Sequence, residues 1–264
     1  MSEFRENLIN DTVYFFDGDY DVIQGRGIPS ASQVAFGRYG KEVELAMLFI
    51  DIKESTKIVD AFRLKTAARM YQSFLRGVTL IARKNNGEIR SFNGDGVLVT
   101  FYGDSKCNDA VRSALQMMDF AKNILKPKMK SYFIRNKQAQ NLNFDCGIGI
   151  DVGNVLVVKG GTRGDDNSDL VWVGNPTNYA VKLSSQSKVE IPDSAGGSTT
   201  RTYNIHITNR VYAELKPDLK IIKSTLTGLL GSNIWHRQPA TIGALLPGSL
   251  SATTIYRTHR TLPF

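Results

Sequence analysis

Apolar and polar positions sort themselves most clearly from Glu44 onward. "VELAMLFID" is a near-continuous apolar run closed by Asp51, the pattern of a strand buried on both faces. Ser55 or Thr56 then suits a helix N-cap. From Lys57 to Lys84, Ile58, Val59, Phe62, Met70, Phe74, Leu75, Val78 and Ile81 recur at helical spacing, and "NNG" at 85–87 stops the helix. "EIRSF" and "VLVTFY" flank "NGDG", which predicts a hairpin. A second helix is predicted from Asn108 to Lys126, closed by Pro127, and "NFDCGIGI" reads as the next strand. The order β-α-β-β-α-β predicts an α+β fold with the ferredoxin-like split motif. "NVLVVKG" and "DLVWVG" add strands. "NPTNYAVKLSSQ" adds a short helix, with Asn175 as cap and Pro176 in its first position. "VEIPDSAGGSTTRT" reads as a loop, "YNIHI" as a strand and "TNRVYAEL" as a capped helix. Beyond Lys216 the chain is loop-rich and ends in strand-like "TTIYRTHR". Residues 1–40 are mixed and turn-rich ("DGDYD", "QGRGIPSAS"), so they read as an N-terminal arm before a main domain at 41–264.

Composition narrows the class. A chain of 264 residues, 42% hydrophobic and 22% charged, has ample material for a core. No run approaches the roughly 20 apolar residues that cross a bilayer. The first residues carry early acids and no apolar stretch of a signal peptide, so the expectation is a soluble cytoplasmic protein with no membrane partner. Two cysteines, Cys107 and Cys146, make neither a disulfide framework nor a metal-ligand spacing. A net charge of +8 suits an anionic partner. There is no long Lys/Arg block and no interleaved basic–aromatic platform. This favours a phosphate-bearing small molecule over nucleic acid.

One glycine motif is discarded. "GIGIDVG" at 147–153 resembles a dinucleotide loop, but such a loop must lead into a helix, and "NVLVV" follows. The glycines are expected in a hairpin. Two acids carry more weight. Asp51 ends the first strand and Asp95 lies in the hairpin turn, and the split motif puts these strands side by side. Two carboxylates at one sheet edge are hard oxygen ligands for Mg²⁺ or Mn²⁺. The backbone of Ile52–Thr56 turns into a helix start, whose N–H groups suit an anion. Each feature has a plainer reading: Asp51 as a cap, Asp95 as a turn residue. Their coincidence favours a metal–phosphate edge. Asn178 and Lys182, four apart, share a face of the later helix. An amide and a cation there suit a ribose and a phosphate, although alone they read as a solvated face.

With these elements in place the chain resembles the class III nucleotide cyclase catalytic domain over about residues 44–215. "FIDIKEST" looks like the strand end with the first metal-binding Asp. "GEIRSFNGDGVLVTF" looks like the hairpin with the second, and "VGNPTNYAVKL" like the helix with a ribose-orienting Asn and a transition-state cation. The resemblance implies two divalent ions (Mn²⁺ or Mg²⁺) on Asp51, Asp95 and the Ile52 carbonyl, with Asn178 and Lys182 as catalytic residues. The implied substrate-binding set is Phe49, Ile50, Lys53, Glu54, Ser55, Thr56, Arg90, Ser91, Val171 and Trp172. It also implies a head-to-tail homodimer, one chain giving the acids and its partner Asn178 and Lys182. Three positions depart from the family. Ser91 and Val171 stand where purine-reading Lys and Asp are expected, and Lys182 where an Arg is expected. Lys182 keeps the charge but loses the two-pronged geometry. A base pocket without its purine partners, with Phe92 and Trp172 beside them, resembles the pyrimidine cyclases of bacterial Pycsar antiphage systems. Those make cyclic UMP or cyclic CMP for a separate effector protein. Arg90, beside Ser91, favours uracil O4 and therefore UTP. A cytidylate cyclase, a purine cyclase with an altered pocket and a non-catalytic nucleotide-binding module remain as alternatives.

Overall fold

Leu45 to Ile50 are almost completely buried, as a run apolar on both faces demands, and they form the middle of the main sheet. The computed structural model describes residues 2–137, 144–162, 167–186, 188–192, 198–222, 232–240, 253–258 and 260–264. In chain order the elements are α1 (Glu3–Phe16), β1 (Asp21–Gln24), β2 (Tyr39–Ile52), α2 (Ser55–Ala61), α3 (Leu64–Lys84), β3 (Glu88–Asn93), β4 (Gly96–Phe101), α4 (Lys106–Asp119), α5 (Lys126–Arg135) and β5 (Cys146–Gly161). They continue as β6 (Ser168–Val173), α6 (Asn175–Ser185), β7 (Lys188–Pro192), β8 (Ser198–Thr202), β9 (Ile205–Thr208), α7 (Asn209–Glu214), α8 (Pro217–Lys220), β10 (Ile221–Ile222), β11 (Ser232–Asn233), β12 (His236–Ala240) and β13 (Thr253–Thr258).

The chain divides into two compact units. The larger comprises Leu45–Gly153 and Pro176–Phe264. The main sheet runs β12-β13-β9-β5-β2-β4-β3. Its β5-β2-β4-β3 portion is the strand order of the split motif, so the α+β expectation holds. β2 and β4 pair antiparallel, with Leu48 opposite Val99 and Ile50 opposite Val97. Met70, Phe74, Val78 and Ile81 of α3, with Val111, Ala114 and Met118 of α4, cover this face and form the core. Ile148 and Ile150 of β5 point into the same core. Gly147 and Gly149, alternating with them, face α6 instead, as the strand alternation requires.

The smaller unit comprises Met1–Glu44 and Asn154–Asn175. Within it β1 runs parallel to the start of β2, and β6 pairs antiparallel with the end of β5. α1 lies inside the stretch expected to be an irregular arm. It buries none of its residues. Arg38 fastens its last turn, donating to the Tyr14 carbonyl at 2.9 Å and lying over the Tyr14 ring. No helix among the described residues is long and apolar enough to cross a membrane.

Four further expectations change. The helix predicted over Lys57–Lys84 is two helices, α2 and α3, parted at Phe62 and Arg63. Phe62 adopts an extended backbone and stacks its ring on Phe133, 4.7 Å between centroids. Pro127 does not end the second helix. A π-helical turn, Phe120–Leu125, precedes it, and Pro127 sits in the first turn of α5, where its missing N–H costs little. The glycines at 147–153 form no hairpin, because β5 runs unbroken from Cys146 to Gly161. A Cβ on Gly147 or Gly149 would lie 2.0 Å from the carbonyl of Ser184 or Ala180. These glycines let the backbone of α6 lie directly on the strand. The stretch expected as a loop at 189–202 contains β7 and β8, paired antiparallel. Residues 193–197 of that loop, and 223–231 and 241–252 of the loop-rich tail, lie outside the described residues.

Candidate active site

β2 delivers Asp51 to the end of the central strand, and the β3–β4 hairpin delivers Asp95 beside it. Gly94 turns the hairpin at φ +64°, a conformation that favours glycine. The Ile52 N–H donates to Asp95 Oδ2 at 3.1 Å. Burial first, and then the hydrogen-bonded, like-charged Asp95, raise the Asp51 carboxyl from 3.8 to about 7, with the Ile52 amide opposing both. Gly96 keeps the space beside them open: a Cβ there would lie 2.5 Å from the Phe49 ring and 3.2 Å from Asp51 Oδ1.

Two half-buried carboxylates in contact call for a cation. Among the described residues no group of three or more His, Cys, Asp or Glu converges on a metal position. The candidate donor set is the two carboxylates, with the Ile52 carbonyl as the third donor that the cyclase resemblance implies. That suits Mg²⁺ or Mn²⁺, which take one or two carboxylates and fill their remaining positions with water and phosphate. The residues fit the implied metal.

The turn after Ile52 is firmly held. Lys53 donates its N–H to the Asp145 carbonyl at 2.9 Å. Its ammonium reaches the Gln186 carbonyl, 3.4 Å away, just beyond the C-terminal end of α6. Glu54 is left-handed (φ 55°, ψ 38°) and pairs with Lys57 at 2.9 Å on the surface. Ser55 opens α2, and its carbonyl accepts the Tyr71 hydroxyl at 3.1 Å. Thr56 is exposed, whereas Ile50 is in the core and Phe49 lies buried against Gly96.

Tyr71 was not anticipated. Its hydroxyl pKa is raised by burial first and then by Asp95, which puts it beside the acids. Nothing in the sequence separates this tyrosine from the other apolar positions of α3. Only the packing of α3 against α2 reveals it.

α6 buries Tyr179, Ala180, Leu183 and Ser184 and leaves Asn178 exposed and Lys182 half-buried. The expected shared face of Asn178 and Lys182 is therefore real. On β3 the register shifts between Ile89 and Ser91, so Arg90 occupies a bulge, with its guanidinium on Glu88. Ser91 is half-buried. Val171 is exposed on β6 and Trp172 beside it is buried, both in the smaller unit.

No protein-family model matches the chain. It is 28% identical over 245 residues to a uridylate cyclase of Xanthomonas perforans, covering 92% of this chain and 91% of that one. It is 30% identical over 207 residues to a uridylate cyclase of Burkholderia cepacia, covering 78% and 81%. Among solved structures it shares the fold of the adenylyl cyclase CyaB from P. aeruginosa, with a TM-score of 0.59 at 19% identity over 83% of this chain and 94% of that one.

Proposed function

The chain belongs to the uridylate cyclase family of nucleotide cyclases, and from that premise we propose that it converts UTP to 3′,5′-cyclic UMP and pyrophosphate. The observation that carries this reading is the contact between Asp51 and Asp95 at the end of β2. In the reaction the ribose 3′-oxygen attacks the α-phosphorus, its proton leaves, and the bond from the α-phosphorus to the bridging oxygen breaks to release pyrophosphate.

Asp51, Asp95 and the Ile52 carbonyl would hold two divalent ions, Mg²⁺ or Mn²⁺. When bound, these make the 3′-hydroxyl more acidic and neutralise the phosphates. The amides from Ile52 to Thr56 bind the triphosphate. Asn178 orients the ribose, and Lys182 meets the charge that develops on the α-phosphate. Ser91 and Val171 offer no match to a purine edge. A pocket that leaves a base's polar edge unpaired discriminates against that base by roughly 1–3 kcal/mol per missing bond. Arg90 supplies a donor for uracil O4.

The active unit in this reading is a homodimer with both sites shared between chains. Two features support it. Asn178 is exposed. It also lies eight residues, or about 12 Å at helical rise, from Gln186, where Lys53 of its own chain, in the turn after Asp51, makes contact. The product serves antiphage defence by switching on a separate effector protein in the cytoplasm.

The test is competition among the four nucleoside triphosphates at equal concentration with Mn²⁺, with products identified by mass. Cyclic UMP should dominate. A predominance of cyclic AMP or cyclic GMP would overturn the pyrimidine reading, and a predominance of cyclic CMP would overturn the choice of uracil and with it the assignment of Arg90.

A further inference from the structure

α3 and α5 enclose a cavity of about 240 Å³ on the helical layer of the larger unit. Its floor is apolar: Met70, Leu125, Met129 and Phe133 line it, all largely buried. Its rim is cationic, with Arg69 on α3 and Lys128 on α5, and no acid lines it. Arg69 lies over the Tyr132 ring, 5.8 Å from its centroid. The wall at Leu125 is the end of the π-helical turn, a helical irregularity that is frequent at functional sites. None of these groups belongs to the carboxylate site.

We propose that this cavity binds a small aromatic anion and that its occupancy is transmitted to the turn that carries Ser55. The volume equals about eight waters at roughly 30 Å³ each, which is room for one or two fused rings with a carboxylate or phosphate. Methionine and phenylalanine walls suit an aromatic body, because sulfur–ring and ring–ring contacts add to burial. Arg69 and Lys128 supply the matching charge at the mouth.

Both walls lead to α2, the helix that follows the turn after Asp51. Phe133, in the α5 wall, stacks on Phe62, the residue that ends α2. Met70, in the α3 wall, precedes Tyr71, whose hydroxyl holds the Ser55 carbonyl at the other end of α2. A ligand that moves α3 against α5 therefore moves α2 at both ends. The binding stands independently of the cyclase reading, whereas the effect on turnover rests on it.

The experiment uses 2-naphthoate as the anionic probe and 2-naphthamide as its neutral isostere, with binding read by fluorescence anisotropy on the full chain. Saturable binding of 2-naphthoate is expected at millimolar concentration or below, with the amide weaker by about tenfold or more. Arg69→Gln with Lys128→Gln should weaken 2-naphthoate by at least about tenfold, and Ser73→Trp, which fills the mouth from an exposed position of α3, should abolish binding. Both variants should keep the wild-type thermal melting temperature. Saturating 2-naphthoate should change kcat at least about twofold in the wild type and leave kcat of the Arg69/Lys128 variant unmoved. No saturable binding, equal binding of the amide, or unchanged binding to the double variant overturns the site. Binding with kcat unmoved in an active enzyme overturns the transmission. A protein inactive on every nucleotide refutes the cyclase reading and leaves the binding result to stand.

Discussion

At the residue scale the decisive group is Asp51. Its carboxyl is driven up to about 7 by burial first and then by Asp95. Asp51→Ala is expected to lower turnover by at least ~10³-fold, about 4 kcal/mol of transition-state stabilisation, with an unchanged circular dichroism spectrum. A near-normal rate would remove Asp51 from the metal site. His206 is the acid-sensitive counterpart. It is fully buried in β9, and neither ring nitrogen finds a hydrogen-bond partner among the described residues. Burial first, then Lys53 and Arg257, lower its pKa from 6.5 to about 3. A histidine depressed on folding contributes stability that is present above its unfolded pKa and is lost as pH falls from 6.5 toward 3. His206→Leu should therefore flatten the fall of melting temperature across that window without loss at neutral pH, since no hydrogen bond is broken. An equally steep decline in the variant would assign the acid sensitivity to other groups.

At the element scale the tightest constraint is β5 beneath α6. Gly149 has no room for a Cβ, because the Ala180 carbonyl would lie 2.0 Å from it and the obstacle is backbone, which cannot rotate away. Gly149→Ala should cost about 2 kcal/mol or more by overpacking, and it should lift the helix bearing Asn178. Urea denaturation reads the first effect. A fall in kcat greater than the fall in folded fraction reads the second. The α2–α3 break belongs here too. The helical period of residues 57–84 continues across it, yet the stacking of Phe62 on Phe133 pulls the chain out of the helix. Periodicity records which positions are apolar and not which distant ring one of them meets.

At the scale of the whole molecule the prediction concerns two chains. Asp51→Ala and Asn178→Ala proteins should each be inactive. In an equimolar mixture that exchanges subunits at random, half the dimers are mixed, and each of these has one of its two sites intact. Recovery of about a quarter of the wild-type rate is then expected. No recovery in verified mixed dimers would place each complete site within one chain. The separation of Asn178 from the contact at Gln186 motivates the experiment.

What the sequence determined by itself was the β-α-β-β-α-β order of the split motif, the two acids at one edge of its sheet, and the shared face of Asn178 and Lys182. These follow from apolar period, turn chemistry and spacing along one element, all of which are local. Tertiary structure alone decided that the Asp51 carboxyl rises to about 7 beside Asp95, and that the Tyr71 hydroxyl holds the turn at Ser55. It also decided that Gly147 and Gly149 continue a strand instead of bending it. A glycine signals only that a Cβ is missing. Whether the space is used for a turn or for a helix lying across the strand depends on residues 180–184, more than 30 positions away. Proximity, and the burial that shifts a carboxyl, belong to the packed chain.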